Sequence, residues 1–312
     1  MSSGNLLFYL VLLLGPLVSV SSTNWVICWV GMELSFLGAI PLMLTDVNFH
    51  SLSKESVIKY FCIQALGSGL LMFGGVLLYM DPTASFFSNV VFMLALFLKL
   101  GMFPLHFWVP SVAAGLNWVP MFILLAWQKI PPFAFLVNIM ENNQWMSTIV
   151  LVLGGMTALT GALIGLNQTS MRAMLGSSSI AHTGWGCIGA VAGGLWPYFF
   201  IYCLSFAILM LFCIVEDPFM ISLGILSLSG LPPFSMFVGK WIILKSMLMS
   251  DSGFLFLILP ILSALLSLFF YLKFFYSFYL SSKTSGSNDT KYMMIRSLII
   301  IVTAGVFFIL LF

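Results

Sequence analysis

The sequence predicts an all-α polytopic membrane protein with about eleven transmembrane helices, two of them discontinuous. Composition and the recurrence of long apolar runs both point there. Of 312 residues, 61% are hydrophobic and only 6% charged. A soluble domain of that length lacks the polar groups to cover so much apolar surface. A helix needs about 20 apolar residues to cross roughly 30 Å of hydrocarbon, and runs of that length recur from end to end. The net charge of +2 gives no reason to expect a nucleic-acid partner. Cys28, Cys62, Cys187, Cys203 and Cys213 lie in or beside apolar runs without a CxxC pair. They read as buried thiols, with neither metal nor disulfide expected. No basic region precedes the first apolar run, so no cleaved targeting peptide is expected.

Taken in order, the spans fall near 5–21, 25–45, 57–80, 86–116, 119–140, 145–165, 171–192, 195–215, 219–250, 253–280 and 293–312. Short polar connections separate them, such as Ser21-Ser22-Thr23-Asn24, Asp81-Pro82, Glu141-Asn142-Asn143, Asn167-Gln168 and Glu216-Asp217-Pro218. The longest, Ser281 to Lys291, sets the last helix apart. The whole chain reads as one transmembrane domain, with a first repeat over 5–140, a second over 145–280 and a final helix over 293–312.

Spans 86–116 and 219–250 are too long for one straight crossing at 1.5 Å per residue. The first contains Pro104 and Pro110, the second Pro232 and Pro233. An interior proline removes a backbone hydrogen bond and clashes with the preceding turn, so both helices are expected to break. A simple kink is the plainer alternative. Gly101-Met102-Phe103-Pro104 aligns with Gly230-Leu231-Pro232-Pro233, and an aromatic-rich stretch follows each. The fourth and ninth spans run in opposite directions, as in an inverted-topology repeat with broken helices at mid-membrane. Non-helical backbone at that depth is tolerated only inside protein or along a water-filled cavity.

Lys54, Lys59, Arg172, Lys273, Lys283, Lys291 and Arg296 gather on the face that holds the N-terminus. The other face holds Lys245 with Asp81, Glu141 and Asp251. The positive-inside rule therefore places the N-terminus on the cytoplasmic or matrix side.

Four ionisable residues stand deep in apolar runs: Glu33, Lys99, Lys129 and Lys240. A charge at the bilayer centre costs about 2.5–3.5 kcal/mol even on insertion scales, and groups of both signs suggest proton or ion movement. The plainer readings are a protonated carboxyl for Glu33 and a lysine snorkelling to the interface for Lys99. Lys129 is expected near the centre of 119–140, where snorkelling is hardest, and Lys240 just after the second break. In general, desolvation favours a neutral lysine and a nearby carboxylate favours the ammonium. Glu33 with Lys99 is therefore read as a switch, with Lys129 and Lys240 as relay stations joined by water. His106 and His182 are possible members of the same path, since imidazole titrates near neutrality; hydrogen-bonded packing is the alternative for each. His50 lies in a loop and receives no role. Glu55 and Lys59, four apart, read as a helix-end ion pair.

The run from Lys99 to Pro110, KLGMFPLHFWVP, resembles the signature of the antiporter-like membrane subunits of respiratory complex I. Glu55 to Phe61 with Ala65 to Gly69 resembles their preceding span. Asn167 to Arg172 and Ser177 to His182 resemble the opening of their second repeat. Trp127-Gln128-Lys129 and Gly230 to Pro233 with Lys240-Trp241 extend the resemblance over roughly 25–250. It implies an antiporter-like fold, shortened in animals to eleven helices. It also implies that Glu33 and Lys99 fill the family's ion-pair positions, Lys129 the central-lysine position and Lys240 the lysine position of the second broken helix. On that resemblance the chain belongs to a proton-translocating NADH:ubiquinone reductase but carries no redox centre. NADH, FMN, iron–sulfur clusters and ubiquinone act elsewhere in the complex. The expected partners are adjacent antiporter-like and small hydrophobic membrane subunits, and lipids such as cardiolipin. The expected location is the mitochondrial inner membrane, with the N-terminus toward the matrix and the C-terminus toward the intermembrane space. A stand-alone or multisubunit cation/proton antiporter and a non-pumping scaffold are the competing readings. No function is carried onto the chain after Asp251.

Overall fold

The computed structural model describes residues 3–45, 51–80, 85–140, 144–232, 234–250 and 254–284. Among these the chain is helical, without strands. The expected last span 293–312 lies outside them. So do His50, Asp81, Pro82, Glu141, Asn142, Asn143, Pro233, Asp251, Lys291 and Arg296, and nothing of the Lys283 side chain is described.

The helices are α1 (Ser3–Ser21), α2 (Trp25–Thr45), α3 (Ser51–Met80), α4 (Ser85–Leu100), α5 (Trp108–Gly115), α6 (Trp118–Leu125), α7 (Ile130–Met140), α8 (Gln144–Leu166), α9 (Met171–Ala192), α10 (Leu195–Val215), α11 (Pro218–Ser229), α12 (Ser235–Met249) and α13 (Ile258–Thr284). Among the described residues, six helical stretches are long and apolar enough to cross a membrane: Trp25–Leu44, Leu52–Leu78, Trp118–Met140, Gln144–Leu166, Leu195–Val215 and Leu255–Ser282. Helix α9 differs. It carries Ser177, Ser178, Ser179, His182 and Thr183, yet residues 173–190 are buried without interruption. Protein, not lipid, therefore surrounds its polar groups.

Both expected breaks are present. Helix α4 stops at Leu100, ahead of Pro104. Gly101, at φ 71°, closes it with Met102 N–H on Phe97 O at 2.9 Å and Gly101 N–H on Leu98 O at 3.3 Å. That is a Schellman cap, which satisfies carbonyls the broken helix leaves orphaned. Pro110 falls in the first turn of α5, where its missing N–H costs nothing. Helix α11 ends at Ser229 against Gly230, at φ 77°, and α12 begins at Ser235.

A third break was not expected. Span 119–140 reads as continuous in sequence, but α6 ends at Leu125, a 3-10 turn covers Trp127–Lys129, and α7 starts at Ile130. Pro131 and Pro132 are the cause. Neither can donate to the carbonyl four residues earlier, and each ring clashes with that carbonyl. Lys129 is therefore in a turn between two half-helices, not in a helix interior.

The described chain forms two compact units. Of the described residues, those within 3–147 with Arg172–Ile180 form one, and those within Thr148–Met171 with 181–284 the other. In the first, α1 and α2 approach closely: a Cβ on Gly15 would lie 2.6 Å from Ser35 N, and one on Gly31 2.7 Å from Gly15 O. Small residues at such contacts let helix backbones meet where lipid gives no hydrophobic drive. Arg172 lies 5.0 Å from the Trp118 ring centre, tying the start of α9 to the start of α6. In the second unit, α10, α11, α12 and α13 pack together. Helix α3 starts at Ser51, earlier than its apolar run, and its exposed first turns carry the Lys59–Glu55 pair at 2.6 Å.

Candidate functional site: buried lysines at three helix breaks

Gly31, Ser35 and Gly38 line the face of α2 that meets α1. At 100° per residue, Glu33 lies on the opposite face. There its Oε1 accepts from Lys99 Nζ at 2.9 Å. The Lys99 side chain is 5% exposed and that of Glu33 20%. Lys99 occupies the last turn of α4, and its stem passes Gly67 of α3, where a Cβ would lie 3.0 Å from Lys99 Cγ. The carbonyls around it are covered by side chains: Gln64 Nε2 donates to Lys99 O at 3.4 Å and Trp108 Nε1 to Leu98 O at 3.2 Å. The backbone here is capped by cap geometry, indole and amide, so the ammonium is left for the carboxylate.

The turn Trp127–Lys129 attaches three ways. Trp127 Nε1 donates to Leu12 O of α1 at 3.0 Å. Gln128 Nε2 donates to Ser35 O of α2 at 2.9 Å, and Ser35 Oγ donates to Gln128 Oε1 at 3.2 Å. Lys129 Nζ, buried, donates to Ser179 O of α9 at 3.2 Å and also to Ser179 Oγ. The hydroxyl and the carbonyl of Ser179 both accept from the Lys129 ammonium.

Lys240, buried on α12, reaches back across the second break to donate to Ser229 O at 2.8 Å. Ser229 is the last residue of α11, where carbonyls without intrahelical partners carry the negative end of the helix dipole. Lys240 has no acidic partner among the described residues.

The two histidines differ. His106 lies in the first break, 2% exposed, its ring 4.2 Å from Phe107 and 5.9 Å from Phe103 between centres. Its Nδ1 has no hydrogen-bond partner, and it bonds none of the other candidate residues. His182, on α9, has Nδ1 2.9 Å from Tyr198 Oη and Nε2 3.3 Å from Tyr271 Oη. The Tyr202 ring lies 4.9 Å from its ring. A histidine hydrogen-bonded at both nitrogens can accept a proton on one side as it gives one up on the other.

Of the six candidates, Glu33 and Lys99 are brought into direct contact. Sequence reading had passed over Gln128, Ser35, Ser179, Tyr198 and Tyr271. The adjacent prolines after Lys129 were a usable signal for the third break. The serine run on α9 was one for a polar lining.

The chain matches the NADH:quinone oxidoreductase/Mrp antiporter transmembrane family over residues 22–217. It is 36% identical over 295 residues to NADH-ubiquinone oxidoreductase chain 2 of Albinaria caerulea, covering 95% of each chain. Its fold is similar to a chain of respiratory complex I from Thermus thermophilus, with TM-score 0.78 and 21% identity over 98% of this chain and 79% of that one. It is also similar to a chain of the Mrp complex from Dietzia sp. DQ12-45-1b, with TM-score 0.77 and 17% identity over 86% of this chain and 59% of that one. A multi-span helical chain with lysines buried at helix breaks, matched over most of its length to chain 2 relatives, belongs to the NADH:quinone oxidoreductase/Mrp antiporter family.

Proposed function

We propose that this chain is a proton-translocating subunit of the membrane arm of respiratory complex I, in the mitochondrial inner membrane. It moves protons through Glu33, Lys99, Lys129 and Lys240. The observation that carries this reading is the Lys99–Glu33 pair at 2.9 Å beside a helix break, with the lysine buried and the carboxylate part-buried. Holding two charges at membrane depth is costly, and a buried pair is stable only while its partners stay together. Drawing them apart leaves each charge uncompensated, which proton transfer relieves. Lys129, received by the hydroxyl and carbonyl of Ser179, is placed to pass a proton along the polar run of α9.

His182, held at both ring nitrogens, is the better supported of the two histidine relay candidates, and the aromatic packing of His106 favours a structural role. The redox groups belong to other subunits, whose chemistry reaches this one as conformational or electrostatic change. Eleven crossings in two inverted repeats, the N-terminus toward the matrix, and flanking antiporter-like and small hydrophobic subunits with cardiolipin complete the proposal.

The test is proton translocation per electron pair in the reconstituted complex carrying Lys129→Ala. The ratio is expected to fall with assembly retained. A wild-type ratio and rate would remove Lys129 from the path and favour a scaffold. The similarity to the Mrp complex chain supports a second reading, a cation/proton antiporter. Sodium or potassium exchange for protons by the chain without redox subunits would select it.

A further inference from the structure

Three consecutive residues of the turn at 127–129 bond to three different helices. The middle one does more than anchor. Gln128 turns both ends of its carboxamide to a single residue: Nε2 donates to Ser35 O at 2.9 Å, and Oε1, at 3.2 Å, shares the one Ser35 hydroxyl hydrogen with Met32 O at 2.8 Å. The orientation of the amide is fixed chemically, because a carbonyl oxygen only accepts; a flipped amide would set two acceptors face to face. Ser35 is two residues from Glu33 on α2, and Gln128 is the neighbour of Lys129 in sequence. Ser35, Gln64, Lys99 and Gln128 also line one cavity, with Met32 and Pro132. Its volume of about 10 Å³ is close to the space one water centre needs, and its polar groups suit one.

We propose that Gln128 is a positioning residue that couples the Glu33–Lys99 pair to Lys129. A shift of α2 that changes the ion pair moves Ser35. The Gln128–Ser35 contact then carries that shift into the turn bearing Lys129, which lies outside regular α-helix ahead of Pro131 and Pro132.

This inference rests on the proton-translocating reading, and the experiment separates the two. Gln128→Leu, Lys129→Ala and the double variant are compared in the reconstituted complex for protons moved per electron pair, normalised to assembled complex. Gln128→Leu keeps the bulk and removes both bonds. It is expected to lower the ratio to the level of Lys129→Ala, with no further loss in the double variant, since sites acting in one path are non-additive. Gln128→Asn, too short to make both bonds, repeats the measurement with a smaller change should the leucine variant assemble poorly. A normal ratio for the Gln128 variants beside a reduced one for Lys129→Ala overturns the coupling and leaves the relay standing. Normal ratios for both overturn both. A loss that adds in the double variant overturns coupling in favour of plain structural damage.

Discussion

The two expected helix breaks handle the same difficulty, a lysine at membrane depth, in different ways. At the first, the backbone is capped by Gly101, Trp108 and Gln64, and Lys99 turns to Glu33. At the second, the terminal carbonyl of Ser229 receives the lysine itself, and Lys240 has no carboxylate among the described residues. The first break thus holds a charge pair whose separation is costly. The second holds a lysine bonded to a helix end, so that its partner is the geometry of the break itself. Electrostatic change should act on the first and conformational change on the second.

The largest expected effect tests the pair. Glu33→Gln leaves the Lys99 ammonium buried without its counter-charge, costing about 3 kcal/mol, the low end for breaking a buried pair, because Glu33 is partly exposed. Thermal unfolding of the assembled complex reads this, and Glu33→Gln with Lys99→Met should recover much of the loss. No recovery in the double variant would mean that the two residues contribute separately.

A smaller effect tests the second break. Gly230→Ala forces a side chain into left-handed backbone, at about 1–2 kcal/mol, and sets its Cβ 2.8 Å from Lys240 Nζ. Proton translocation should fall toward that of Lys240→Ala. Gly101→Ala is the control: its Cβ would meet Val109 Cγ2 at 2.5 Å and not a lysine, so stability should drop with less effect on proton movement. Equal effects of the two on proton movement would erase the distinction between the breaks.

The smallest effect concerns the exposed ion pair. Lys59→Ala removes a surface i,i+4 contact worth about 0.5 kcal/mol or less. It should alter neither assembly nor proton movement. A marked loss would show that ion pairs in this chain matter irrespective of burial.

Much of this architecture was legible in the sequence because its causes are local. Apolar run length pointed to membrane-spanning helices, and among the described residues six are long and apolar enough to cross. Pro104 and Pro232 gave two breaks, and rare charges in apolar runs gave Glu33, Lys99, Lys129 and Lys240. The break at 126–129 was as local in cause, since Pro131 and Pro132 are adjacent. It was missed because the span has the ordinary length of one crossing.

The partners were not legible. Serines in apolar helices usually satisfy themselves on their own backbone: Ser177 and Ser178 bond Met174 and Leu175 carbonyls. The next residue, Ser179, receives Lys129 from 50 positions away. Gln128 meets Ser35 across 93 residues, and Tyr271 meets His182 across 89. By itself the sequence determined that the chain is helical, where two helices break and which lysines are buried, because backbone geometry and desolvation depend on near neighbours. Only tertiary structure decided which charge is paired, which is solvated by backbone and which histidine is held at both nitrogens. A buried polar group must be satisfied, but packing alone chooses its partner.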